Sequence, residues 1–136
     1  MWDRLWRMRI VDTGPGEGRA IEGHGSRGAH QVRLLLQERQ NGSAVTLIHL
    51  SPGALLGAHP AGWPQLLIVV SGQGWVRAGD ELRRPIAAGA AAYFERDEVH
   101  ESGTESGMTV IVIESPAAHE ASVHGQMLAG GREAGG

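Results

Sequence analysis

Residues 53–72 decide the fold, and they read GALLGAHPAGWPQLLIVVSG. The first part belongs to a stretch rich in glycine and proline, residues 51–64, which is predicted to be a long loop that carries His59. The second part begins at Gln65 and is a short apolar run bounded by turn residues, a pattern typical of a buried strand. This stretch therefore predicts a loop bearing a histidine that leads into the core of a β protein.

Short strands of the same kind are predicted on both sides of this stretch. Asn41 and Gly42 suit the positive φ angles of a two-residue hairpin turn, and the glycines at 72 and 74 are predicted to form a second turn. The predicted strands cover residues 32–40, 43–50, 65–71, 75–78, 81–86, 90–94, 99–102 and 108–114. Many short strands separated by glycine indicate an all-β antiparallel barrel or sandwich.

The two ends of the chain lack this strand pattern. Residues 1–30 are predicted to be an N-terminal arm and loop, because their glycine-rich second half shows no periodicity. The barrel is predicted to span residues 31–116. Residues 117–136 are predicted to be a flexible tail, which opens with a short helix capped by Ser115 with Pro116 at its first position.

The composition excludes several kinds of chemistry. The chain has 136 residues, a length that suits one domain. It contains no cysteine, and all 12 of its basic residues are arginine. Thiolate nucleophiles, zinc–cysteine sites, disulfides and lysine Schiff bases are therefore excluded. Histidine, carboxylates, arginine, polar side chains or a bound ion must carry any reaction.

Charge and hydropathy limit the partners. The net charge of −3 gives no basic surface for a phosphate backbone, so nucleic acid is not an expected partner. The longest apolar run, residues 66–70, is much shorter than the roughly 20 residues that span a bilayer, so no membrane is expected either. The start of the chain lacks the apolar core of a signal peptide, which predicts a cytoplasmic location.

The spacing of the histidines and glycines resembles the motifs of the cupin superfamily. Gly53, His59, Gln65 and Gly72 fall on the spacing of the first motif, with Ala61 in place of its second histidine and Gln65 in place of its glutamate. Two further residues, Gly89 and His100, fit the second motif. The resemblance covers roughly residues 31–114. It implies a single jelly-roll barrel, also called a double-stranded β-helix, similar to small bacterial cupins without an assigned activity.

The resemblance also implies a site inside the barrel. His59, Gln65 and His100 are predicted to bind a divalent metal, which could be Zn, Fe, Ni, Mn or Cu because nitrogen and oxygen donors suit all five. A carboxamide donates less strongly than a carboxylate, so we expect weaker binding than in a complete cupin site. A neutral donor set keeps the full charge of the metal and favours an anionic metabolite.

Glu98 has the same strand parity as His100. Either residue is predicted to transfer a proton as a catalytic group, and the alternative for Glu98 is a solvated turn carboxylate. Cupins include dioxygenases, isomerases and decarboxylases, and the sequence does not select among them.

The competing hypothesis is a non-catalytic cupin that binds a small molecule without a metal, and the changes at positions 61 and 65 favour it. His49 is a possible extra ligand, although a hydrogen-bonded barrel histidine is the favoured interpretation. The remaining histidines and three strand arginines are predicted to be solvated: His24, His30, His119, His124, Arg77, Arg83 and Arg84. A homodimer is expected, with the arm at residues 1–10 available for exchange between subunits.

Overall fold

The computed structural model describes residues 8–36, 42–119 and 122–125. It contains eight strands: β1 (Arg19–Ala20), β2 (Arg27–Leu36), β3 (Ala44–Pro60), β4 (Gln65–Ala78), β5 (Arg84–Ala87), β6 (Ala91–Phe94), β7 (Val99–Gly103) and β8 (Met108–Glu114). The described residues contain no α-helix, and Pro15–Glu17 and Gly23–Gly25 form 3-10 turns. The all-β prediction is confirmed. None of the described residues belongs to a helix that is long and apolar enough to cross a membrane.

The two long strands build the barrel because each belongs to two facing sheets. The first half of β3 pairs with β2 and β8, and its second half pairs with β7. The first half of β4 pairs with β8 and β6, and its second half pairs with β7 and β5. All these pairings are antiparallel. The strands therefore close into the jelly-roll barrel that the sequence predicts.

The predicted hairpin at residues 72–74 was wrong, because β4 continues through these residues without reversing. Gly72 has a φ of 79°, and a Cβ atom at this position would overlap the carbonyl oxygen of Gly107. Glycine is therefore needed here for a bend that carries the strand from one sheet to the other. The predicted loop at 51–64 was wrong for the same reason. There β3 passes Gly53, which has a φ of 82°, and continues to Pro60.

The ends of the barrel also differ from the prediction. Strand β2 begins at Arg27, five residues earlier than expected, and β1 pairs with it within the predicted arm. Local patterns missed this pairing because the glycine-rich arm gains its order from contacts with β2. After Glu114 the chain makes a turn, in which Ala118 N–H donates to Ser115, and the described tail residues contain no α-helix. The predicted turn residue Asn41 and residues 1–7 of the arm lie outside the described residues.

The core lies between the two sheets and is formed by alternate residues of the long strands. In β3 the even-numbered residues Ile48 and Leu50 belong to this core. In β4 and β8 the inward residues include Leu67, Val69 and Val110, which are at most 2% exposed. Because side chains alternate along a strand, these residues fix which face of each strand looks into the barrel.

Candidate functional site

The barrel encloses a cavity of about 190 Å³. Its wall comes from β2, β3, β4, β7, β8 and the N-terminal segment from Ile21 to Ser26. Three predicted site residues, His59, Gln65 and His100, line it together. A larger and more open depression of about 470 Å³ lies outside the barrel beside Trp75. The Arg83 guanidinium lies 3.7 Å from the centroid of the Trp75 ring, so this ring is already in contact with a protein cation. The enclosed cavity is therefore the candidate site.

His59 and His100 face each other across the β3–β7 ladder, and their ring centroids are 4.4 Å apart. The Nδ1 atom of His59 lies 2.7 Å from the carbonyl oxygen of Gly57, and that of His100 lies 3.3 Å from the carbonyl oxygen of Glu98. A carbonyl oxygen only accepts, so each Nδ1 carries the proton in these hydrogen bonds. In the neutral tautomer that these bonds favour, the lone pair of each ring is on Nε2.

His100 is held in its neutral form. Its side chain is buried at 5% exposure and stacks on Phe94, with ring centroids 4.5 Å apart. The pKa of His100 is lowered to about 4, mainly because burial disfavours the charged ring; the hydrogen bond to the Glu98 carbonyl partly opposes this shift, and the nearby His59 adds to it. At neutral pH the His100 imidazole therefore acts as a hydrogen-bond acceptor through Nε2 and not as a cation.

The donor set does not complete a metal site. Gln65 is buried and offers a carboxamide at the start of β4, whereas Ala61 is 1% exposed and offers no side-chain donor. Within residues 8–36, 42–119 and 122–125, no three His, Cys, Asp or Glu residues are grouped so that they could hold a metal ion. Two imidazoles and one carboxamide are thus the protein donors at the predicted position.

Two other predicted candidates lie elsewhere. Glu98 agrees with the alternative interpretation of a turn carboxylate: its Oε1 atom accepts a hydrogen bond from the backbone N–H of Glu95 at 3.0 Å, closes the turn before β7 and does not line the cavity. His49 is on the opposite face of β3 from Ile48, and its Nε2 lies 2.7 Å from the carbonyl oxygen of Thr13. His49 is therefore a hydrogen-bonded histidine outside the cavity.

His24 was predicted to be solvated, but it lines the mouth of the cavity. Its ring stacks on that of His59 with centroids 5.1 Å apart, and its backbone adopts the left-handed conformation (φ 57°, ψ 30°). A Cβ atom on Gly57 would overlap the carbonyl oxygen of His24, and the N–H of Gly57 donates to Ser26 Oγ at 2.9 Å. The close approach at Gly57 brings the N-terminal segment onto the site. The one local signal is the Gly23-His24-Gly25 sequence, which permits this tight turn.

The cavity wall also includes polar residues that were not predicted from the sequence, among them Arg33, Thr46 and Glu114. Thr46 lies on the same face of β3 as the buried residues Ala44 and Ile48. Strand alternation starting from Ile48 would therefore have identified Thr46 as an inward-facing residue. Two of the strand arginines that were considered in the sequence contact other groups: Arg77 forms an ion pair with Glu101, and Arg83 packs over the Trp75 ring. The cationic group at the cavity is instead Arg33.

Solved structures show which fold this chain shares, whereas no protein-family profile and no curated protein matches its sequence. A cupin-like protein from Thermotoga maritima has a TM-score of 0.68 and 20% identity, with 81% of this chain and 83% of that chain covered. A Cupin 2 conserved barrel domain protein from Salinispora arenicola has a TM-score of 0.65 and 18% identity, covering 81% and 90%. An RmlC-like cupin from Shewanella frigidimarina has a TM-score of 0.62 and 20% identity, covering 85% and 97%. Identities this low establish the fold alone.

Proposed function

We propose that this chain, which has the cupin fold, binds a small polar metabolite inside its barrel. The observation that supports this function is the pair of imidazoles, His59 and His100, whose Nδ1 atoms are both engaged with backbone carbonyls. The Nε2 atoms of the two rings and the Gln65 carboxamide make an end of the cavity that is rich in hydrogen-bonding groups. Such a surface binds hydroxyl or N–H groups of a ligand.

The cavity limits the size of this metabolite. Its volume is about 190 Å³. Pockets for drug-sized ligands are larger, at about 300–1,000 Å³. The metabolite therefore has few non-hydrogen atoms. His100 is assigned here as an acceptor without a proton-transfer step, because a base with a pKa near 4 is poorly matched to neutral pH.

Native mass spectrometry of the untagged protein tests this function. We expect a small molecule to co-purify, and we expect His59→Leu to reduce the ligand-bound fraction at least fivefold. His119→Leu is the matched control, because His119 is exposed on the tail and should leave the bound fraction unchanged. Equal retention of the molecule by the parent and His59→Leu would contradict binding at the imidazole pair.

A divalent metal held by His59, Gln65 and His100 is the second candidate. The observation that favours it is that metal-bound histidines commonly donate their other ring N–H to a backbone carbonyl, as both rings do here. A bound metal would supply Lewis-acid chemistry. Because the three residues do not complete a closed ligand set, no catalytic step is assigned to a metal, and dioxygenase, isomerase and decarboxylase activities stay predictions.

Elemental analysis separates the two candidates. Stoichiometric metal in the untagged parent, and none in the His59→Ala/His100→Ala variant, would support the metal site. No metal in the parent after reconstitution with Fe, Ni, Mn, Cu and Zn would exclude it and leave metabolite binding as the function. A homodimer and a cytoplasmic location also stay predictions. Light scattering with and without residues 1–10 tests whether the arm supports a dimer.

A further inference from the structure

We infer that Arg33, Thr46 and Glu114 form a charged subsite that binds the carboxylate and the ammonium group of a small zwitterion, such as an amino acid. This inference rests on the proposed function and names the class of metabolite. All three residues line the cavity that also contains the two imidazoles.

The strand register places Thr46 between the two charged residues. Arg33 on β2 is the direct partner of Thr46 on β3. On the other side of β3, Glu114 of β8 pairs with Ala44, two residues from Thr46 on the same face. Neighbouring strands are about 4.8 Å apart, so Thr46 is one strand from each charged residue. A ligand that contacts Arg33 and Glu114 therefore passes over Thr46.

The Thr46 hydroxyl is the feature that indicates a ligand here. Thr46 is 4% exposed, and its Oγ1 has no hydrogen-bond partner in the described part of the chain. A buried polar group without a partner costs about 1–3 kcal/mol. Valine would have nearly the same shape without this cost. A ligand that bonds to Oγ1 accounts for a threonine at this position.

The two charges are also available to a ligand. The ion pair found among the described residues joins Arg77 to Glu101 and involves neither Arg33 nor Glu114. Arg33 is exposed and Glu114 is partly buried, which places them toward the opening of the cavity, whereas Thr46 lies deeper. A guanidinium binds a carboxylate through two parallel N–H donors, and a carboxylate accepts hydrogen bonds from an ammonium group.

A zwitterion matches this wall better than an ion of either sign. A simple anion attracted by Arg33 would meet the like charge of Glu114, and a simple cation attracted by Glu114 would meet that of Arg33. A molecule with both groups gains an opposite charge at each position and avoids both repulsions. The polar remainder of a small amino acid can then reach the imidazole end of the cavity.

Three probes of similar size test the charges separately by isothermal titration calorimetry at pH 7. L-Alanine carries both charges, L-lactate has a hydroxyl in place of the ammonium group, and L-alaninamide has an amide in place of the carboxylate. We expect the parent to bind L-alanine at least fivefold more tightly than either analogue. Arg33→Gln should abolish the preference over L-alaninamide, and Glu114→Gln should abolish the preference over L-lactate.

Two further variants complete the test, and the second of them is the control. Thr46→Val should weaken L-alanine binding severalfold while both preferences remain, and Arg84→Gln, an exposed arginine on β5, should change nothing. Equal affinities for the three probes, preferences unchanged in Arg33→Gln and Glu114→Gln, or no binding of L-alanine would overturn the subsite. If one of these results occurs while a co-purifying molecule is still lost in His59→Leu, the subsite fails and the proposed function stands. If no molecule binds in either experiment, both fail.

Discussion

His100 lies directly opposite His59 in the β3–β7 ladder, and its buried imidazole lies between the His59 ring and the Phe94 ring. The Phe94 ring is nearly parallel to that of His100, whereas the His59 ring is tilted by 57°. The β3–β7 pairing is irregular between Leu56 and His59, which frees the Gly57 N–H to bond Ser26. A local break in the ladder thus connects the imidazole pair to the N-terminal segment.

The low pKa of His100 predicts an acid-sensitive fold. The folded pKa is about 4 and the ordinary value is 6.5, so the unfolded chain binds the extra proton between these values. Stability is therefore lost as the pH falls from about 6.5 toward 4. We expect the parent to lose about 2–3 kcal/mol of unfolding free energy from this group between pH 7.5 and 4.5.

Urea unfolding at the two pH values, with a chelator present, measures this loss. His100→Gln keeps a neutral polar side chain and should show a correspondingly smaller loss over the same interval. The comparison cancels the other titrating groups, since both proteins share them. A pH dependence that is identical in the two proteins would rule out the buried neutral histidine.

Thr46→Val is expected to stabilise the ligand-free protein by about 1 kcal/mol, because it removes a buried hydroxyl that lacks a partner. Thr104→Val is the matched control: Thr104 is equally buried, but its Oγ1 donates to the Gln73 carbonyl at 2.6 Å and accepts from Gly107 N–H at 2.9 Å. Losing these bonds should destabilise the fold by about 1–3 kcal/mol. Urea unfolding measures both, and a destabilised Thr46→Val would contradict this prediction.

Gly57→Ala is expected to displace the N-terminal segment from the cavity, because the new methyl group would overlap the backbone of His24. We expect a loss of about 1–3 kcal/mol, typical of overpacking, and loss of the contact between the His24 and His59 rings in NMR spectra. Gly62→Ala is the control, since no atom lies within 4 Å of its added Cβ. If Gly57→Ala behaves like Gly62→Ala, the segment does not pack on β3 as described.

Leu67→Ala tests the core beneath the cavity. Leu67 is 2% exposed, and its truncation should cost about 2–5 kcal/mol in thermal or urea unfolding. Leu82→Ala removes the same atoms from a side chain that is 88% exposed, so it should change stability by at most about 0.5 kcal/mol. Similar losses in the two variants would mean that Leu67 is not a core residue.

Local sequence patterns predicted three of the short strands well, whereas β5 begins three residues later than predicted and β1 was not predicted. Strand β8 has the predicted bounds, and β6 and β7 differ from the prediction by one residue each. These strands end at ordinary turns, which leave a clear signal in the chain. The prediction ended each long strand at a glycine, because a glycine with a positive φ occurs both in turns, which end a strand, and in bends, which do not. Only the pairing partners show that Gly53 and Gly72 bend a continuous strand.

The site was predictable only in part for a related reason. The motif spacing identified His59, Gln65 and His100, and the structure brings these three into one cavity. Glu98 has the parity of His100, but it precedes β7 and its carboxylate bonds to the backbone N–H of Glu95, so strand alternation does not apply to it. His24 was missed because its role depends on a contact with Gly57, 33 positions further along the chain.

The sequence by itself indicated an all-β chain and excluded thiolate and lysine chemistry, because strand patterns and composition are local properties. It identified two histidines and a glutamine as site residues through the motif spacing that resembles cupins. The tertiary structure decided which other groups share the cavity. Arg33, Thr46 and Glu114 meet there because β2, β3 and β8 are neighbours in one sheet, and that register is set by the packing of whole strands. A shift of one residue in β3 would turn Thr46 away from the cavity and bring His49 into it.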